Sequence, residues 1–529
     1  MTSINAASNL VSLTTGNMAA RAATGSSVNA PTANTPAAAT STQVTLTQTP
    51  PVANWPTYAP PAANGGVLRW QRAPSDPLSL IMSGNVTTSA LGNRLDQLGT
   101  KLMSAIAGGA TSYSQSVLRP DPLKPATDAE LAVQQANLQS SADNQFALTI
   151  ATASGAKVTV RLGSRDDGLS AEFSVTQGTL TDAERGELGT LADAFQSAVN
   201  GLAKQPPAVD FSGLTGFDTS LLTSVDLSAT LGANGTTPQT ISYHADATQR
   251  SMHVDGATGA FDVNVDLKNL QAIGGPKAQA AALDAWLTRF DTAQTRGNGN
   301  ADLMGMFKAA FAGLNSHYPP APALPRITLN NADMSVLSGL ADFSASISQT
   351  TKAPNPMRPS EIDTFDYQIS QSTQIGGKDT LNRTIAQQTQ ATLTASYHRS
   401  IWAGVPLNLT TDPKSQNYEY VKVQDSATRN VDVGYRDGLL THAQAHRAAS
   451  QSMQVMRYEA GKLVSDVTTP LSESGTNDLM RLLQSAMQND AANSGKSAAT
   501  DTSDDDDATL GELRKRTQLE IDPSRLNGN

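Results

Sequence analysis

Two of the chain's six histidines, His442 and His446, stand four apart. On a helix that spacing puts both imidazoles on one face, as two metal ligands require. The zincin pattern needs a Glu directly after the first His, and Ala443 occupies that place. With no third ligand in the pattern, no metal is expected and the two rings read as exposed polar side chains. The other histidines, His244, His253, His317 and His398, stand among apolar and aromatic neighbours. Tyr243-His244 and Tyr397-His398 suit strand faces as well as they suit active sites. Acid pairs such as Asp363 with Asp366, or Glu419 with Asp425, are the residue types that glycoside hydrolysis uses. Exposed acids of this kind are far commoner than catalytic ones.

Other sites of known chemistry are incomplete. Gly297-Asn298-Gly299-Asn300 lacks both the Lys-Ser/Thr ending of a phosphate loop and a third dinucleotide-binding glycine, and reads as a loop between helices. Asp166-Asp167-Gly168 resembles part of a calcium loop, but the bidentate Glu would fall on Ser174, so a hairpin turn is the better account. A G-x-S-x-G elbow is absent. Catalytic residues therefore stay unassigned, and no cofactor is expected. The chain has no cysteine, which excludes disulfides, thiolate catalysis and thiolate metal sites. A net charge of -10 argues against a general nucleic-acid binder, which needs a basic footprint. No apolar run approaches the roughly 18 residues of a membrane-spanning helix.

Position is set by elements with clear periods. Phe146, Leu148 and Ile150 alternate, as do Val158, Val160 and Leu162, then Leu169, Ala171, Phe173 and Val175. Successive strand side chains point to opposite faces, so a period of two marks half-buried strands. After Gly178 the period becomes helical. Thr181 and Glu184 form a capping box, and Leu188, Leu191, Ala192, Phe195 and Val199 give the inward face of a helix over residues 182–200. Alternation resumes at Val225–Leu231, Ile241–Ala245, Met252–Val254 and Phe261–Leu267. Helices follow from Pro276, with Trp286 and Phe290, and around Leu303 to Leu314. Upstream, Leu91, Leu95, Leu98 and Leu102 predict one helix over residues 88–106.

The run Ser220–Leu231 recurs in altered form at Ser335–Ile347, which suggests two related β modules. Beyond Pro356 the period of two returns at Phe365–Ile369, Ala391–Tyr397, Tyr418–Tyr420 and Val431–Tyr435. Met456 and Tyr458 are expected to pair with Leu463 and Val464 across a turn. A last helix is expected from about Thr476.

The fold class is therefore α+β: tandem antiparallel β-meanders with covering helices and disordered tails at both ends. Residues 1–68 read as a disordered Ser/Thr/Ala/Pro-rich tail, 69–142 as a helical segment and linker, and 143–350 as an α+β core with duplicated β modules. Residues 351–470 read as a β-rich region, 471–491 as a C-terminal helix and 492–529 as a disordered charged tail. Arg21 is the one charged side chain before Arg69, and a conventional signal peptide is not visible. Such a stretch has the composition of an uncleaved leader for type III or flagellar-type export.

The run Leu180-Thr181-Asp182-Ala183-Glu184-Arg185, with Phe195 and Phe211-Ser212-Gly213-Leu214, resembles a segment of uncharacterised, Cys-free, Ser/Thr-rich bacterial proteins. The resemblance spans residues 146–231 and implies a bacterial origin, without an activity or a functional residue to carry over. The favoured reading is a non-enzymatic interaction protein, exported without a Sec signal and acting on a protein partner outside the cell or at its surface. A secreted hydrolase of carbohydrate or cell-wall material, with its site near Tyr397, His398 and Trp402, is the second reading. A cytosolic scaffold is the third.

Overall fold

Alternation of apolar and polar residues runs through most of the chain, and it builds one antiparallel sheet. The computed structural model describes residues 68–121, 126–232, 237–320, 325–493 and 504–526. The first strands and helices are β1 (Arg69–Trp70), α1 (Pro77–Asn85), α2 (Leu91–Arg94), α3 (Leu98–Ala107), β2 (Ser112–Leu118) and α4 (Asp128–Ser140). Next come β3 (Asn144–Thr152), β4 (Lys157–Arg165), β5 (Gly168–Thr176), α5 (Asp182–Thr190) and α6 (Ala192–Leu202). A second meander holds β6 (Leu222–Leu231), β7 (Gln239–Asp246), β8 (Gln249–Gly256) and β9 (Gly259–Asp266). The helices α7 (Pro276–Gly297), α8 (Ala301–Leu314) and α9 (Asn331–Val336) lead to β10 (Asp342–Gln349). The long strands are β11 (Thr364–Asp379), β12 (Asn382–Ser400), β13 (Tyr418–Arg436), β14 (Leu439–Glu459) and β15 (Lys462–Asp478). Two helices, α10 (Met480–Asn493) and α11 (Asp504–Thr517), follow.

The strand order is β1-β2-β5-β4-β3-β6, then β7 to β15 in sequence, so 15 strands form a single sheet of consecutive meanders. Inward residues of β3 to β9 and of α3, α6, α7 and α8 share one apolar core that includes Phe146, Phe195, Phe261 and Phe307. At its centre Phe290 of α7 meets Phe307 and Phe311 of α8 edge to face, at ring distances of 5.0 and 5.1 Å. On the opposite face α4 covers β4 and β5 through Leu131 and Leu138. The stretch before Leu68, on which the export-leader expectation rests, lies outside the described residues.

Local chemistry explains most boundaries. Thr181 and Glu184 form the expected capping box, and the Glu184 carboxylate also accepts from the Ser154 backbone N–H at 2.8 Å, tying α5 to the β3–β4 turn. The Asp437-Gly438 turn joins β13 to β14 and the Ala460-Gly461 turn joins β14 to β15. All four residues have positive φ, the conformation that matches a two-residue turn to strand twist. Tyr458 pairs with Leu463 across the second turn, as expected, but a register shift after Arg457 sets Met456 opposite Asp466 and not Leu463 or Val464.

Several expectations are corrected. The helix over residues 88–106 is two helices, because Gln97 adopts a positive φ of 61° between α2 and α3. The helix over 182–200 is likewise divided at Leu191, and its second part runs to Leu202. Tyr418–Tyr420 and Val431–Tyr435 are parts of one 19-residue strand. Residues 471–478, expected to begin a helix, complete β15, and α10 starts at Met480. The charged run of residues 504–516 forms α11, whose basic residues lie in its last turn, where the helix dipole favours them. Its Leu513 is fully buried against α9 and α10.

Candidate interaction surface

The chain's aromatic and acidic residues do converge, but around a sealed ring. His398 projects from β12 on the face opposite the main core, where segment 355–363 and the loop after β12 fold over the sheet. Its Nδ1 lies 2.6 Å from Asp363 Oδ1 and its Nε2 lies 3.2 Å from Glu361 Oε2. Tyr418 donates its hydroxyl to Glu361 at 2.6 Å, and Asn355 donates to that hydroxyl at 2.9 Å. Burial, then the Glu361 hydrogen bond and charge, push the Tyr418 phenol well above its usual range. The imidazole side chain is 1% exposed, so no substrate reaches it in this conformation. Trp402 is about half exposed. This cluster fastens two loops to the sheet.

The remaining candidates disperse. His442 and His446 sit on strand β14, not on a helix, which separates them by about 13 Å. His442 meets Asp432 at 2.7 Å and His446 meets Thr476 at 3.1 Å. Asp366 lies on β11 while Asp363 is held by His398. Glu419 accepts from Arg399 at 2.7 Å, and Asp425 accepts from Arg296 at 3.0 Å, so these acids are ion-pair partners. His244 is bracketed by Asp226 at 2.7 Å and Asp246 at 3.0 Å. Burial opposes its charge, yet those two carboxylates prevail and raise its pKa. His253 meets Asp262 at 2.7 Å, and His317 lies beside Ser316. Gly297–Asn300 is the predicted loop: Asn298 ends α7 with a φ of 53°, and Asn300 caps α8. Asp166-Asp167 is the β4–β5 hairpin turn, also as predicted.

The surface with unspent bonding capacity is the far edge of the sheet. Among the described residues β15 pairs with β14 alone, and none of its 17 residues is buried. Its outer ladder is therefore a row of backbone N–H and C=O groups open to another strand. Leu463, Val464, Val467 and Leu471, all on this strand, are 43–55% exposed. Val467 stands opposite Val455, and Leu471 opposite Gln451, on the face that helices cover elsewhere. Pro470 lies within the strand, opposite Ser452. Proline is accepted at an edge when its missing N–H faces solvent, so even-numbered positions near it turn their backbone outward. Pro470 thus interrupts the outer ladder and leaves residues 462–469 as an unbroken stretch that carries Leu463, Val464 and Val467.

The chain matches no protein-family model, no curated protein and no solved structure. The edge strand escaped the sequence reading at its second half. Residues 471–491 read as a helix, although Leu463, Ser465, Val467, Thr469 and Leu471 keep the period of two straight through Pro470.

Proposed function

We propose that this is a non-enzymatic bacterial interaction protein that captures an extended segment of a partner protein as a sixteenth strand on residues 462–469. The observation that carries the reading is the long, unburied edge strand with its exposed valines and leucines. Backbone ladders supply affinity in strand addition, and alternate side chains supply selectivity. The partner segment places apolar residues opposite Val467 and the exposed side chains near the turn. It carries a basic residue to meet Asp466, the acid within that stretch. Action outside the cell or at its surface fits a 529-residue chain without cysteine, which crosses an oxidising space without disulfide chemistry. The hydrolase reading draws less support, because His398, Asp363 and Glu361 are spent on one another beneath covering loops.

The test uses a photo-crosslinking residue at position 467 of the full chain in the cells that make it, with a second copy of the probe at Gln424 as control. The expected result is an adduct with a different protein from position 467 and none from 424. Thr468→Pro should abolish that adduct while leaving the fold intact, since its missing N–H faces outward like that of Pro470. Absence of an adduct, or one that survives Thr468→Pro, would refute strand addition. An adduct of twice the chain's mass would replace the partner by a second copy. Cell fractionation tests the location: a wholly cytoplasmic pool under secreting conditions contradicts export.

A further inference from the structure

One row of cross-strand neighbours on the helix-covered face breaks the apolar pattern. It runs Gln371 on β11, Thr389 on β12, Arg429 on β13 and Arg447 on β14. All four are at least nine-tenths buried. Above the first three lies a cavity of about 110 Å³, roofed by α7 and by the C-terminal segment from Arg514 to Leu519. Among the described residues its charged lining is Arg289, Arg429 and Arg514, with no carboxylate. Small side chains on α7, among them Ala282 and Ala285, leave the space open.

The bonding of Arg429, like that of its neighbour Arg447, is incomplete in a way that the bonding of Arg94, Arg250 and Arg383 is not. Arg94 has hydrogen bonds from Nε and both terminal nitrogens, to Ser164 Oγ and to the carbonyls of Val86, Thr88, Arg165 and Gly168. Arg250 likewise holds the carbonyls of Leu314, Ser316, Thr215 and His317. Arg383 has a carboxylate, Asp333, at 2.7 Å. Arg429 bonds only neutral groups, Gln387, Thr389 and the Val336 carbonyl, and its Nε has no partner. Burial, then the charges of Arg289 and Arg447, depress its guanidinium to about 9. Glu520, the acid that acts on Arg289 and Arg447, is turned to the backbone N–H groups of Ile521 and Asp522. A buried charge without a counter-ion is costly, so an anion at this position would be stabilised.

The geometry points to a binding site for a phosphate-type oxyanion, held by Arg429 and Arg289 and closed over by Arg514 of the C-terminal segment. Arginine's planar fork matches such an anion in two-pronged fashion. The volume holds an ion of that size with a few waters, at roughly 10–15 Å³ of such space per water. Gln371 adds selectivity. Its amide NH₂ donates to the Leu340 and Ala341 carbonyls at 3.2 and 3.1 Å, which fixes the orientation and leaves Oε1 as an unpartnered acceptor. Monohydrogen phosphate has an O–H to give it, whereas sulfate has none. The site also links ligand to structure, because the segment that supplies Arg514 is anchored by Arg289 to the Leu519 carbonyl at 2.7 Å and by Gln451 to the Ile521 carbonyl at 2.9 Å.

The experiment is calorimetric titration of the full chain with inorganic phosphate near pH 7.5, with chloride balancing ionic strength. Saturable one-to-one binding is expected, with sulfate weaker by about tenfold or more, and with Arg429→Gln and Arg514→Gln each weakening phosphate by about tenfold or more. Arg514 is partly exposed on α11, so Arg514→Gln keeps the test open should Arg429→Gln fail to fold. Heats equal to the chloride blank, or an affinity unchanged in Arg514→Gln, would overturn the site. Equal affinities for phosphate and sulfate would remove Gln371 from it.

Discussion

The two halves of the sheet use the same ladder for different ends. Strands β2 to β10 are 7–10 residues long. Their inward faces carry Phe, Leu, Ile and Val under α3, α6 and α8, and the buried arginines beside them, Arg94 and Arg250, are tied to backbone carbonyls. Strands β11 to β15 are 16–21 residues long and outrun their helical cover. Their inward row includes Gln371, Arg429 and Arg447, each with an unpartnered atom, and among the described residues they end on a strand paired on one side only. Satisfied groups hold a fold together. Unsatisfied ones mark where the fold expects company; among the described residues five of the seven fall in the second half, and the two in the first, Arg165 Nε and Asp167 Oδ1, face each other as an ion pair at 3.6 Å.

The largest effect should come from the first half. Phe195 of α6 is fully buried, and its ring touches the α3 backbone near Gly99. Phe195→Ala should cost about 3–5 kcal/mol in urea unfolding, through lost burial and the cavity left behind. A loss below about 1 kcal/mol would remove α6 from the core.

Next comes a matched pair of substitutions. Arg94→Met strands a buried hydroxyl and four carbonyls and should cost about 3 kcal/mol. Arg429→Met removes an unpaired buried charge along with its few bonds, and should cost under about 1 kcal/mol. Equal losses in the two variants would show that Arg429 is as structural as Arg94, and the contrast between halves would fail.

A smaller and pH-dependent effect is expected at Glu184. Burial raises the pKa of this carboxyl, but hydrogen bonds from the backbone N–H and hydroxyl groups of Thr181 and Ser154 outweigh it and hold the value at about 2, against an ordinary 4.5. The ionised group therefore stabilises the fold fully above its unfolded pKa, and the contribution vanishes as pH falls through about 2. The stability gap between the wild type and Glu184→Gln should be widest at pH 6–7 and should shrink as pH falls from about 4.5 towards 2. A gap independent of pH would assign Glu184 a purely steric role.

Legibility in the sequence follows the same division. The meanders of the first half were plain because most inward positions are apolar: Phe146, Leu148 and Ile150 admit one reading. Capping at Thr181 and the Ala460-Gly461 turn were also legible, being local. What hid was non-local. Arg429 interrupts Ala427 and Val431 at an inward position, which signals a polar core only once the strand is known to be continuous. His398 and Asp363 were visible as residue types, but their sealing by Glu361 and Tyr418 depends on loops folding back over the sheet. Edge status at β15 is a property of strand order, which no single stretch encodes.

The central claim is that residues 462–469 form an open pairing edge, and amide hydrogen exchange on the full chain tests it most directly. The probe is an eight-residue peptide alternating Val with Lys, titrated against the protein. Saturable slowing of exchange at the outward amides of Asp466 and Thr468, with the amides of β6 unchanged and the effect lost in Thr468→Pro, is the predicted result. Exchange at Asp466 and Thr468 that the peptide leaves unaltered would contradict it.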